Sequence, residues 1–181
     1  MVEQQNIDWA LIRKQLPFEK TPQQEAQRDE LWRLIDINAN SYVSLAELDK
    51  GLRDVLHCYQ IFECKPAIIR AFTAAKGAVN NKKAHGDYYI DRSEFRLALL
   101  YLRQYFEYFQ AFARVDTDDD RRIDKQEFIS AKAKIEKWTG PIKNADAAFR
   151  EIDKNNGGFI LFDEFCDWAI KKNLDLEDDD D

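Results

Sequence analysis

The chain has 181 residues, 45% of them apolar and 34% charged, with only 6 glycines and 4 prolines. That composition argues against a turn-rich all-β fold and leaves room for one large domain or two small lobes. The net charge of −7 and a pI near 5.0 weigh against nucleic acid or anionic membrane as the main partner, because both demand basic patches.

The N-terminal MVEQQNIDW lacks the basic and apolar regions of a signal peptide, and Val2 excludes N-myristoylation. No stretch approaches the roughly 18 apolar residues of a membrane span. The first strong periodicity is the apolar stripe Leu31, Trp32 and Ile35, which predicts a helix packed on a core. It leads into DINANSYVSLAEL (36–48).

Cys58 and Cys64 follow, and with Cys166 they make an odd count without a CxxC pair. They read as reduced thiols of an intracellular protein rather than a disulfide framework or zinc site. Cys58 beside His57 invites a metal or nucleophile reading, but no second pair of soft ligands accompanies it.

A second segment, KAHGDYYIDRSEF (83–95), precedes the apolar run EFRLALLYL. Tyr105, Phe109, Phe112 and Val115 then share one helical face ahead of DTDDDRRIDKQEF (116–128). The fourth segment, DKNNGGFILFDEF (153–165), is followed by Phe165, Trp168 and Ala169 on one face. The closing LDLEDDDD is a like-charge run, read as a disordered acidic tail over 175–181.

The four segments share one grammar: an acidic or polar run, a β-branched residue, then a glutamate followed by an apolar residue. Helix, twelve-residue loop and helix is the EF-hand, with ligands at loop positions 1, 3, 5, 7, 9 and 12 and usually Gly at position 6. Position 8 is Val43, Ile90, Ile123 and Ile160, so first-with-second and third-with-fourth pairing by short strands is expected. The predicted fold is all-α: four EF-hands as two paired lobes (1–104 and 105–174) with short β-ladders between loops.

The third loop has the fullest ligand set. Asp116, Asp118 and Asp120 fill positions 1, 3 and 5, Arg122 offers its carbonyl at 7, Asp124 stands at 9 and Glu127 closes at 12. Arg121 replaces the turning Gly, which costs about 1–2 kcal/mol. The first loop offers Asp36, Asn38, Asn40, the Tyr42 carbonyl, Ser44 and Glu47, with only two charged ligands. The fourth keeps Gly158 at position 6 and offers Asp153, Asn155, the Phe159 carbonyl and Glu164, but has Gly157 at 5 and Leu161 at 9. In the second, Lys83 and His85 at positions 1 and 3 oppose a cation, leaving Asp87, Asp91 and Glu94. The long interval between Glu47 and Glu94 implies an insertion, KGAVNNKKAHG. Calcium is the expected ion, with magnesium its competitor.

Taken together, the loops, the IDWALIRKQLP segment, the enlarged second hand, EFRLALLYL and the terminal FDEFCDWAIKKNL resemble the calflagins. These are the flagellar calcium-binding proteins of kinetoplastid protozoa, and the likeness covers about residues 7 to 174. More distantly the chain is similar to calmodulin and the neuronal calcium sensors. The resemblance implies a calcium sensor that acts by binding, with ligands mainly in the third hand (Asp116, Asp118, Asp120, Glu127) and fourth (Asp153, Asn155, Glu164). Family members begin with an acylated Met-Gly-Cys leader. The start Met-Val-Glu makes a cytoplasmic paralogue the expectation, with flagellar association resting on the resemblance alone.

Three functions compete on the sequence. A sensor would answer calcium by reorienting helices and exposing apolar surface to a protein or peptide partner. With Met1 the only methionine, aromatics rather than a Met-rich groove would line that surface. A scaffold or buffer would hold its shape largely without metal. An enzyme is not expected, because no nucleophile–base–orienter set appears and His57 and His85 stand isolated.

Overall fold

The computed structural model describes residues 7–76, 78 and 88–176. Helix α1 (Trp9–Gln15) starts where the Asp8 carboxylate accepts the Leu11 N–H. Helix α2 (Pro22–Ile35) is capped by Thr21 and carries Pro at its first position, where a missing N–H is harmless. Strand β1 (Val43–Ser44) runs into α3 (Leu45–Asp54), started by a reciprocal capping box between Ser44 and Glu47. A short α4 (Tyr59–Glu63) and α5 (Lys65–Lys76) come before strand β2 (Tyr89–Ile90). Helix α6 (Arg92–Ala113) is a continuous 22-residue helix serving both EFRLALLYL and the aromatic stripe before the third loop.

Strand β3 (Ile123–Asp124) leads into α7 (Lys125–Ser130), and α8 (Lys132–Thr139) follows a break at Ala131. Helix α9 (Ala145–Ile152), strand β4 (Phe159–Ile160) and α10 (Phe162–Lys172) complete the chain. The fold is all-α with two small antiparallel ladders. β1 pairs with β2 through Val43 and Ile90, and β3 with β4 through Ile123 and Ile160. All four of these position-8 residues have no exposed surface. The side chain that sets the pairing is thus also a core side chain, which fixes register.

The chain divides into two compact units, residues 1–106 and 107–181. In the first, Trp32 meets Phe95 edge-on at 5.2 Å, and Trp9 meets Phe106 at 5.8 Å. Helices α2 and α3 approach closely at Gly51, where a Cβ would fall 2.8 Å from Cγ1 of Ile35. In the second, Phe112 packs edge-on against both Phe162 and Phe165, and Phe128 against Phe149 and Trp168. Such edge-to-face contacts add to the area buried.

Three details differ from the sequence reading. Part of the interval between Glu47 and Glu94 is taken up by α4, a helix too short to leave a periodic signal; of KGAVNNKKAHG, all but Lys76 and Ala78 lies outside the described residues. Packing continues past 174: Leu176 is fully buried, its N–H donates to the Glu107 carboxylate at 2.7 Å, and the Asp175 N–H donates to the Trp138 carbonyl. Residues 177–181 of the acidic run lie outside the described residues. The division between units falls inside α6, after Phe106.

Candidate calcium-binding loops

The third loop is built by its first residue. Asp116 follows α6 and is almost fully buried. Its Oδ2 accepts the Arg121 N–H at 2.9 Å and its Oδ1 the Asp120 N–H at 3.3 Å. Asp118 and Asp120 each accept the N–H two residues on, at 3.2 and 2.9 Å. These Asx turns curl the backbone. Asp119 and Arg121 complete the curl with φ of 59° and 67°. One carboxylate oxygen each from Asp116, Asp118 and Asp120 lies within 4.8 Å of the others.

Glu127 closes the loop from α7. Its Oε2 accepts the Asp124 N–H at 2.9 Å while Asp124 Oδ1 accepts the Glu127 N–H at 2.7 Å, a capping box. Its Oε1 accepts from Thr117, through N–H at 2.8 Å and Oγ1 at 2.9 Å. Burial raises the Asp116 carboxyl above its ordinary pKa. The Arg121 N–H opposes that rise, and the charges of Glu127 and Asp120 add to it. Converging hard oxygens under mutual repulsion suit a divalent cation such as calcium.

The first and fourth loops repeat the turn with other side chains. Asp36 accepts from the N–H groups of Asn40 and Ser41, and Asp153 from those of Gly157 and Gly158. Asn40 accepts the Tyr42 N–H. Position 6 again has positive φ, 70° at Ser41 and 81° at Gly158. Closure differs from the third loop. The Asn38 amide donates to Glu47 Oε1 at 2.9 Å, and the Asn155 amide to Glu164 Oε1 at 2.9 Å. Glu164 Oε1 also accepts the Lys154 and Asn155 N–H groups, and its Oε2 that of Leu161. Ser44 bonds Glu47 Oε2 through both N–H and Oγ. Phe159 and Tyr42 stand at position 7 of their loops.

In the second loop, Lys83, His85 and Asp87 lie outside the described residues. Its closing end keeps the pattern: fully buried Glu94 accepts the Asp91 N–H through Oε2 at 3.0 Å. The three cysteines are free and buried, and burial pushes the Cys58 thiol up to about 12, so it is an inert packing group.

Three features escaped the sequence reading. Position 4 is also left-handed, at Ala39, Asp119 and Asn156. Asp and Asn tolerate that conformation and could have hinted at it; Ala could not. The hold of Thr117 on Glu127 left no motif. The third is the Arg122 guanidinium, which bonds Asp120 Oδ2 through Nη2 at 2.6 Å and Nε at 3.1 Å.

Comparison with known proteins finds EF-hand families over both halves of the chain. The FCaBP EF-hand domain matches residues 12–102, and an EF-hand domain pair matches residues 106–170. The flagellar calcium-binding protein of Trypanosoma cruzi is 32% identical over 179 residues, covering 96% of this chain and 83% of its own. Flagellar calcium-binding protein TB-24 of Trypanosoma brucei brucei is 33% identical over 172 residues, covering 94% and 79%. A solved homolog of programmed cell death 6 protein from Leishmania major Friedlin aligns at a TM-score of 0.42 with 16% identity, over 89% of this chain and 80% of that one. The chain belongs to the flagellar calcium-binding protein (calflagin) family, non-enzymatic EF-hand proteins that bind calcium.

Proposed function

We propose that the protein is a calcium sensor whose principal site is the third loop. The observation that carries this reading is the convergence of Asp116, Asp118 and Asp120 within 4.8 Å. With them we assign Glu127, the Arg122 carbonyl and Asp124, the last acting through water. Asp36, Asn38, Asn40, Tyr42 and Glu47 form a weaker site, and Asp153, Asn155, Phe159 and Glu164 another, because affinity follows ligand charge. Magnesium competes at the third loop. The two working lobes are the paired hands, first with second and third with fourth, with Leu176 belonging to the second lobe.

Glu127 bonds Thr117 and Asp124. A bound calcium recruits that carboxylate, shifts α7 and loosens the packing of Phe128 against Phe149 and Trp168. The surface exposed takes an apolar helix or peptide of a partner protein. Among the described residues no helix is long and apolar enough to cross a membrane. A cytoplasmic location is proposed, and the relatives' names extend a flagellar association to it; imaging of tagged protein tests both.

A second reading, a scaffold that folds largely without metal, is favoured by the amide–glutamate bonds of the first and fourth loops. Calcium titration followed by heat and by tryptophan fluorescence separates the two. Trp168, buried on α10 against Phe128 and Phe165, should respond near micromolar calcium in a sensor. Uptake of calcium without any spectral change supports the scaffold. No heat in the wild type, and none changed by Glu127→Gln, removes the calcium site itself.

A further inference from the structure

We propose that the Arg122 side chain is a resident counter-cation of the third loop, which calcium must displace from Asp120, and that Phe159 of the fourth loop holds it in place. This rests on the third loop being a calcium site. The two oxygens of Asp120 have different partners. Oδ1 accepts the Arg122 backbone N–H at 2.9 Å, which the turn itself requires. Oδ2 accepts from the guanidinium, at 2.6 and 3.1 Å. Residue 122 therefore serves the loop twice with opposite effect: its carbonyl is an assigned ligand, and its side chain partly neutralises a carboxylate assigned to the ion.

The guanidinium does not hang freely in solvent. Its carbon lies 4.5 Å from the centre of the Phe159 ring, a cation–π contact across the β3–β4 pairing. Phe159 holds position 7 of the fourth loop, as Arg122 does of the third, so the contact links equivalent points of the two hands. Both Arg122 and Asp120 are partly exposed. Such pairs are weak, so the arginine lowers affinity and sets a threshold without blocking the site.

Arg121 supplies the control. It carries the same charge one residue away, but its side chain is exposed and its bond to the loop is a backbone N–H donated to Asp116. Metal-free wild type, Arg121→Gln, Arg122→Gln, Phe159→Leu and the Arg122→Gln/Phe159→Leu double variant are titrated with calcium chloride at fixed ionic strength. Arg122→Gln should bind about fivefold tighter and Arg121→Gln less than about twofold. Phe159→Leu, which keeps the carbonyl, should tighten binding about twofold and add nothing in the double variant. In the metal-free wild type the Arg122 Nε–H should give a protected NMR resonance that shifts on calcium saturation.

Equal tightening by Arg121→Gln and Arg122→Gln overturns the proposal and leaves the calcium site standing, because only total charge then matters. Weaker binding by Arg122→Gln also overturns it, making the arginine an organiser of the site. A wild type that takes up no calcium while its Nε–H stays protected overturns the site reading, and the displacement with it.

Discussion

The third and fourth loops share a backbone and differ in what closes it. Each begins with a nearly buried aspartate that accepts the N–H groups of positions 5 and 6. Each uses left-handed residues at positions 4 and 6, Asp119 and Arg121 in one, Asn156 and Gly158 in the other. In the fourth, a neutral amide, that of Asn155, reaches Glu164 and satisfies it. In both loops the closing glutamate accepts the N–H of position 2, Lys154 or Thr117; in the third, position 3 is Asp118, which has no proton to donate, and the added donor is the Thr117 hydroxyl. The turn is therefore set by the first aspartate and the left-handed residues. What differs is the donor set of the closing glutamate: an amide from position 3 in the fourth loop, a hydroxyl from position 2 in the third.

The sharpest way to break this comparison is to remove the closing charge from each loop in turn. Glu127→Gln should weaken the tightest calcium site about 100-fold, or ~3 kcal/mol. Glu164→Gln should change that same site less than about fivefold, since its loop does not carry it. Isothermal titration checks both. Equal losses would mean that the fourth loop is a full partner in binding.

Next in size is an attempt to convert the fourth loop into the third. Gly157 is not left-handed, so a side chain fits its backbone, but a Cβ would fall 2.5 Å from Asn155 Oδ1. The glycine thus leaves room for the amide to reach Glu164. Gly157→Asp adds the missing position-5 carboxylate and pushes Asn155 aside, and the fourth loop should gain about tenfold in calcium affinity. Stoichiometry in the titration should rise with it. An unchanged fourth site would show that Leu161 at position 9, not Gly157, limits it.

The sequence made much of this readable because ligands and ladder residues occupy fixed loop positions. Val43, Ile90, Ile123 and Ile160 identified both strand pairings from side-chain type alone, since a buried β-branched residue at position 8 can do little else. The order of the aspartates gave the third loop, and Arg121 in place of Gly gave its left-handed turn. The state of each glutamate was not legible. That Asn155 donates to Glu164 while Asp118 does not follows from an amide standing where the third loop has a carboxylate, and from a contact across the loop that ligand spacing does not show. Arg122 was read as a carbonyl because position 7 contributes its backbone; its side chain had no motif to announce it. Helix α4 and the packed Leu176 escaped for a different reason. A five-residue helix spans too few turns for periodicity, and a hydrophobic residue inside an acidic run looks solvated until its partner, the Glu107 end of α6, is in place.

A smaller effect probes the amide directly. Asn155→Asp takes a donor from Glu164 and sets a second carboxylate beside it. Without calcium the protein should lose about 1–2 kcal/mol, a fall of about 2–6 °C in melting temperature, and calcium should restore more than it does in the wild type. Asn38→Asp is the same test on the first loop, against Glu47. Calorimetry with and without calcium measures both. If neither variant loses metal-free stability, the amides are not closing these loops.

The smallest expected effect is a gain. Asp116 has its carboxyl pKa raised by burial, with the charges of Glu127 and Asp120 contributing, so in the metal-free protein its ionised form opposes folding. The sign follows: folding favours the protonated acid, and stability is lost as pH rises through the folded pKa. Asp116→Asn removes that opposition. The amide oxygen can keep the bond from the Arg121 N–H at 2.9 Å, while the Asp120 N–H retains Asp118 as acceptor at 3.2 Å. At neutral pH the metal-free variant should melt on the order of 2 °C higher than wild type. The gain should vanish below the unfolded pKa of the aspartate, where both side chains are neutral. Calcium should fail to raise the variant's melting temperature by the wild-type amount, because a first ligand has been lost. A variant less stable than wild type at neutral pH would instead mean that the aspartate's role in shaping the turn outweighs the cost of its buried charge.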